Sequence, residues 1–158
     1  MLMKDAPIRA VDVAVVKGQT IYPKGLAHHV AGRAKRKLGD LFGLKNFGVN
    51  LTCLDPGAAS ALLHSHATQD EFVFILEGNP TLIYGSAEHV LAAGECMGFR
   101  AGTGIAHQLV NRSDSVVTYI EIGDRSSGDN VVYPKDDIVA TLSPEGAWKL
   151  THKNGEPY

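Results

Sequence analysis

The chain has 158 residues and a formal net charge of -2, room for one hydrophobic core and not for a second domain. That charge balance argues against a general nucleic-acid binder, which needs a basic face. The two isolated cysteines, Cys53 and Cys96, argue against a disulfide framework or a thiolate zinc site and read as small buried residues. Met1–Pro7 lacks the apolar segment of a signal peptide and no run is long enough to span a bilayer, so a cytoplasmic location without membrane contact is expected.

The first forty-odd residues show no regular pattern. Within them Arg33-Ala34-Lys35-Arg36-Lys37 carries four positive charges in five positions. Two readings stand: a solvated strand or loop, as charge runs usually are, or a patch that draws an anionic substrate or seats an acidic partner subunit. From residue 45 short β-like runs follow, at 45–54, 60–66, 71–77, 80–84, 87–92, 96–100, 106–111 and 115–122, separated by Gly, Pro, Asn, Ser and Asp in turn-forming clusters. Their even spacing predicts a sandwich or barrel, and no window has a sustained helical period. Ser126–Asn130 reads as a loop, and Ala147–His152 with Asn154-Gly155 behind it as a late hairpin. The expected fold is all-β, one domain over residues 1–158 with its core at about 45–125 and an extension at each end. Sandwich edges need cover, so a homodimer is expected, with residues 26–38 or 147–152 against a neighbouring sheet.

In an extended strand alternate side chains share a face, so His64 and His66 point one way and Ser65 the other. Such a pair is either a surface feature of an edge strand or two ligands of one ion. Glu71 opens the apolar run Phe72-Val73-Phe74-Ile75-Leu76, where a buried carboxylate needs a partner and a metal would provide one. Asp70 points opposite to Glu71 and reads as a turn residue. His28, His29, His89 and His152 have no partner spacing and read as surface or hydrogen-bonded histidines; Trp148 reads as core or dimer contact.

Gly57, His64, His66, Glu71 and Gly78 together resemble the first motif of the cupin superfamily, with six residues instead of five before His64. The stretch from Gly94 to Asn111 is similar to the second motif, with Arg100 where proline is expected and two extra residues before His107. The flanks look like those of small single-domain bacterial cupins. The resemblance implies a double-stranded β-helix, or jelly-roll barrel. It also implies that His64, His66, Glu71 and His107 hold one divalent metal ion, for which Zn, Mn, Fe or Ni would serve, since ligand type alone does not choose among them. Cupins with this ligand set include sugar-phosphate isomerases, so an isomerase or lyase acting on a small oxygenated metabolite is implied. The same ligands also serve dioxygenases and decarboxylases, and a non-catalytic ligand-binding or sensor module is a further alternative.

Strand parity extends the site. With Glu71 inward, Val73 and Ile75 follow; with His107 inward, Leu109 and Asn111 follow. Tyr119 and Glu121 share a face of the next run, and proton abstraction beside a metal-polarised carbonyl needs a base within hydrogen-bond reach. Glu121 is the candidate base and Tyr119 the candidate acid or positioner. The alternative is an outward Glu121 paired to a surface Lys or Arg.

Overall fold

The computed structural model describes residues 6–158, so Met1–Asp5, within the segment read above for a signal peptide, lie outside the described residues. Thirteen strands are described: β1 (Val16–Lys17), β2 (Arg33–Lys37), β3 (Phe47–Leu54), β4 (Ser65–His66), β5 (Glu71–Glu77), β6 (Thr81–Tyr84), β7 (Ala87–Val90), β8 (Cys96–Phe99), β9 (His107–Val110), β10 (Val117–Asp124), β11 (Asn130–Val132), β12 (Val139–Leu142) and β13 (Trp148–Thr151). Among the described residues helix is confined to α1 (Lys24–Ala27), α2 (Leu38–Leu41) and two single 3-10 turns, and none of these is long and apolar enough to cross a membrane.

The strands form two facing layers. One is a six-stranded antiparallel sheet in the order β1-β2-β3-β10-β5-β8. The other combines β7-β6-β9 with β4-β11-β12-β13, joined where His64 and His107 form an antiparallel bridge. Between the layers lies a core of Leu54, Val73, Ile75, Leu82, Phe99, Leu109, Val117 and Tyr119. A second cluster, Leu62, Val131, Tyr133, Ile138 and Ala140, fills the end closed by β11 and β12. On β5 the period of two is plain: Val73 and Ile75 are buried while Phe72, Phe74 and Leu76 face out.

Several expectations change here. The extensions on either side of residues 45–125 contribute strands of their own, β2 to one sheet and β11 to β13 to the other. The predicted strand at 60–66 shortens to its last residues. Ser60 N donates to Leu109 O, Leu62 N to the Tyr22 hydroxyl, and the Gln108 amide to Ala61 O, and these bonds replace a regular ladder. Cys53 is half-buried and Cys96 is exposed, because Cys96 sits on the outer face of edge strand β8 opposite Phe74. Of the two segments expected against a neighbouring sheet, β2 is flanked by this chain's own β1 and β3, and β13 pairs with β12.

Gly78 shows how tightly the β5–β6 turn is specified. Its φ is +83°, and a Cβ there would lie 2.9 Å from Val116 O and 2.9 Å from Val117 Cγ2. Both the left-handed backbone and the close approach require glycine. Gly78→Ala is expected to lower stability by at least about 1 to 2 kcal/mol, the usual cost of that conformation for an L side chain. Urea denaturation checks it; an unchanged midpoint would show that the turn relaxes freely.

Candidate metal centre

The β-bridge between His64 and His107 sets these two residues side by side, with His64 N donating to His107 O and His107 N to His64 O. Two residues on, His66 shares the face of His64. Glu71 enters from the opposite layer as the first residue of β5. A single carboxylate oxygen then meets three imidazoles. Glu71 Oε2 is 3.4 Å from His64 Nε2, 3.4 Å from His66 Nε2 and 2.8 Å from His107 Nε2. The ligand atoms of His64, His66 and Glu71 all lie within 4.8 Å of one another, a group able to hold a metal ion. His107 adjoins that group through its contact with Glu71.

The remaining ring nitrogens decide which atoms are free to ligate. His64 Nδ1 lies 2.7 Å from Leu62 O, and His66 Nδ1 lies 2.5 Å from Asp129 Oδ2. Both partners only accept, so each Nδ1 carries its proton, which leaves Nε2 as the atom that would ligate a metal once it is free of a proton, or that donates to Glu71 while it carries one. In the metal-binding form, with both Nε2 atoms unprotonated, two lone pairs and a carboxylate oxygen aimed at one point would repel unless a cation lay among them. Two donors each about 2.1 Å from a shared ion are separated by about 3.0 to 3.4 Å. The 3.4 Å separations fit that spacing. His107 is held differently. Its ring stacks on Phe99 at 3.8 Å with an interplanar angle of 3°, while its buried Nδ1 has no hydrogen-bond partner among the described residues.

Ionisation follows from this crowding. Burial disfavours the Glu71 carboxylate, but hydrogen bonds from His107, His64 and His66 outweigh it and hold Glu71 well below the usual carboxylate range. Burial also lowers His66, yet Glu71 and then Asp129 raise it to about 9. His107 is lowered, by burial first and by the neighbouring imidazoles as well.

Asp129 was missed in the sequence, where Ser126–Asn130 reads only as a loop. It is fully buried, accepts from Thr68 N at 2.8 Å and Thr68 Oγ1 at 3.1 Å, and fixes the His66 ring. No local signal links it to His66, which is 63 residues away. Asp70 caps the loop after β8, accepting from Ala101 N at 2.8 Å. Asn111 is buried and ties Leu54 O to Ser115 O, a structural role rather than a pocket one. His152 pairs with exposed Asp137.

Glu121 and Tyr119 face the same interior. In the sheet register Glu121 stands opposite Val73, and Gly123 opposite Glu71, so Glu121 and Glu71 are diagonal neighbours on one face, about 7 Å apart. Glu121, Tyr119, His64, Glu71 and His107 line one inner cavity of about 100 Å³. Glu121 is not the outward residue of the alternative reading, yet it does have a lysine partner. Its Oε1 accepts from Lys35 Nζ and, at 2.8 Å, from Asn50 Nδ2, and its Oε2 accepts from the Tyr119 hydroxyl at 3.3 Å. Burial and then the charge of Glu121 push Tyr119 well above the usual phenol range, so it stays a neutral donor. Trp148, read above as core or dimer contact, is half-buried and lines a second cavity of about 480 Å³ together with Tyr133, His64, His66 and Glu71.

Two outcomes are expected from the centre. Asp129→Asn should weaken metal binding about 10- to 100-fold, the usual effect of losing an outer partner of a ligating histidine, with the β-sheet circular dichroism unchanged. Equal affinity by metal titration would remove Asp129 from that role. Without a metal, Glu71 and Asp129 hold His66 up at about 9, above the ordinary histidine value of about 6.5. Its contribution to stability is therefore complete below about pH 6.5 and is lost as pH rises toward 9. Metal binding displaces the same proton and should strengthen over that interval. Melting curves of the metal-free protein at both ends of the window, beside His66→Gln, check the sign; a wild-type curve parallel to that of the variant would refute it.

A cupin domain family model matches residues 50–123. Comparison with curated proteins gives no match. Among solved structures, a sugar phosphate isomerase of the cupin superfamily from Silicibacter pomeroyi DSS-3 is 35% identical, with a TM-score of 0.90 over 97% of this chain and 96% of that one. A candidate sugar phosphate isomerase from Acidithiobacillus ferrooxidans ATCC 23270 is 28% identical, with a TM-score of 0.71 over 80% of each chain. The polyketide cyclase RemF from Streptomyces resistomycificus, 17% identical with a TM-score of 0.62 over 78% of this chain and 80% of its own, shares the fold alone. With both motifs in place on a two-layered β-barrel, and a relative of this identity along nearly the whole length, the chain belongs to the cupin superfamily.

Proposed function

We propose that this chain is a metal-dependent isomerase that interconverts the carbonyl and hydroxyl positions of a small sugar-phosphate-like metabolite. One observation carries the reading: a ligand cluster and a separate carboxylate, Glu121, line the same small cavity. The 35% identity to the Silicibacter pomeroyi sugar phosphate isomerase supports it. A divalent ion held by His64, His66, Glu71 and His107 would supply Lewis-acid polarisation of a substrate carbonyl.

The protein's own groups would do the rest. Isomerisation moves one proton from a carbon to its neighbour and one from a hydroxyl to the former carbonyl oxygen, with no net oxidant or reductant. Glu121 is the group proposed to take the carbon-bound proton and return it one carbon along. Tyr119 and Asn50 fix the carboxylate by donating to it, and Lys35 balances its charge while it is unprotonated. Tyr133, stacked near His64 at 5.9 Å and buried, closes one side against water.

The test is proton exchange. Metal-loaded protein incubated in deuterated water with a panel of aldose and ketose phosphates should show isomerisation and deuterium at the carbon beside the carbonyl, read by NMR. Glu121→Gln should keep its metal content and lose about 10²- to 10⁴-fold in turnover, the worth of a positioned general base. No isomerisation with any member of the panel would overturn the reading. Full activity in the variant would remove Glu121 from it.

A further inference from the structure

Strand β2 does not present its charges as a block. In the register with β3, Arg33, Lys35 and Lys37 stand opposite Leu54, Thr52 and Asn50, and these three face the interior beside Val117, Tyr119 and Glu121 of β10. Ala34 and Arg36 alternate outward, and Arg36 Nε donates to Val11 O at 3.2 Å. Arg33, Lys35 and Lys37 therefore line the cavity of about 480 Å³ that also contains His64, His66 and Glu71. Three cations meet one lining carboxylate, Glu71, which is itself engaged by imidazoles.

The three cations are not equivalent. Lys35 is paired with Glu121. Arg33 is held by the carbonyls of Ser60 and Gln19, which orient its guanidinium without cancelling its charge. Lys37 Nζ has only the neutral Gln19 Oε1, at 3.4 Å, and no carboxylate partner among the described residues. Such a cation, at the mouth of a cavity whose floor is a ligand cluster, lacks its anion.

The spacing says how far that anion lies from the metal centre. Lys37, Asn50, Glu121 and Val73 form one transverse row across β2, β3, β10 and β5, and Glu71 is one pleat further along β5. Three interstrand steps of about 4.8 Å put the Lys37 backbone about 14 Å from the β5 end of that row, measured along the sheet. Side chains reach inward from both ends, so the gap left is on the scale of a pentose or hexose phosphate. Trp148 and Tyr133 supply an aromatic wall from the facing layer.

Resting on the isomerase reading, we propose that Lys37, in the field of Arg33, seats the terminal phosphate of the substrate while the sugar's carbonyl end lies at the ligand cluster. The cavity then selects sugar phosphates whose phosphate is on the carbon farthest from the carbonyl. Lys37 is a specificity residue in this arrangement and takes no part in proton transfer.

Inorganic phosphate is the probe, titrated into metal-loaded protein by calorimetry, with the single Trp148 as a fluorescent reporter inside the same cavity. Saturable binding that perturbs Trp148 is expected. Lys37→Gln should weaken it about ten-fold or more, the scale of one charge-assisted hydrogen bond, whereas Lys37→Arg should retain it, and both variants should keep full metal content. Lys37 is exposed, so neither variant threatens the fold. The proposal falls if wild type shows no saturable binding, if binding leaves Trp148 unperturbed, if Lys37→Gln binds as wild type does, or if only metal removal abolishes binding. The same preparations separate the two claims. Lys37-dependent phosphate binding without isomerisation would keep the seat and discard the isomerase; isomerisation with an unchanged KM in Lys37→Gln would do the reverse.

Discussion

One oxygen of Glu71 facing three imidazole nitrogens is the constraint around which the site is organised. A carboxylate taken out of bulk water is costly unless donors or a cation meet it, and here the nearest groups are His64, His66 and His107. The fold meets this requirement by bringing the three histidines from one layer and the carboxylate from the other, so the site exists only when the two layers are packed. The buried side chains behind it, Phe99 against His107 and Asp129 against His66, keep the rings from turning away.

Around that point the six-stranded sheet works as a ruler. Its antiparallel register carries Glu71, Glu121, Tyr119, Asn50, Lys35 and Lys37 onto one face, in rows one strand apart. Side chains on this face are graded by distance from the candidate centre: the Glu71 carboxylate at one end, a neutralised Lys35–Glu121 pair in the middle, and Lys37 without a carboxylate partner among the described residues at the far side. Coulomb attraction partly shielded from water is stronger than on open surface, so the half-buried Lys35–Glu121 pair counts for more than a surface pair would. The facing layer contributes aromatic rings, including Tyr133 and Trp148, to the cavity wall.

The period of two made much of this readable in advance. His64 with His66, and Tyr119 with Glu121, are pairs whose shared face follows from strand geometry alone, and Gly78 marks a turn that no other residue fits without strain. Where local hydrogen bonding broke the strand, at Ser60 to Leu62, pattern failed, because those donors and acceptors find partners on Leu109, Tyr22 and Gln108. The run from Arg33 to Lys37 shows both sides: alternation separates inward from outward cations, but only the pairing of β2 with β3 reveals that the inward set faces a cavity at all.

By itself the sequence determined the all-β class, the superfamily motifs and, in His64, His66 and Glu71, a group able to hold a metal ion, since these depend on residue type and short-range periodicity. Which groups would surround those residues was decided by tertiary structure. Asp129 reaches His66, and Lys35 reaches Glu121, across 63 and 86 positions of chain. Contacts of that separation are set by sheet order and layer packing, and neighbouring residues carry no trace of them.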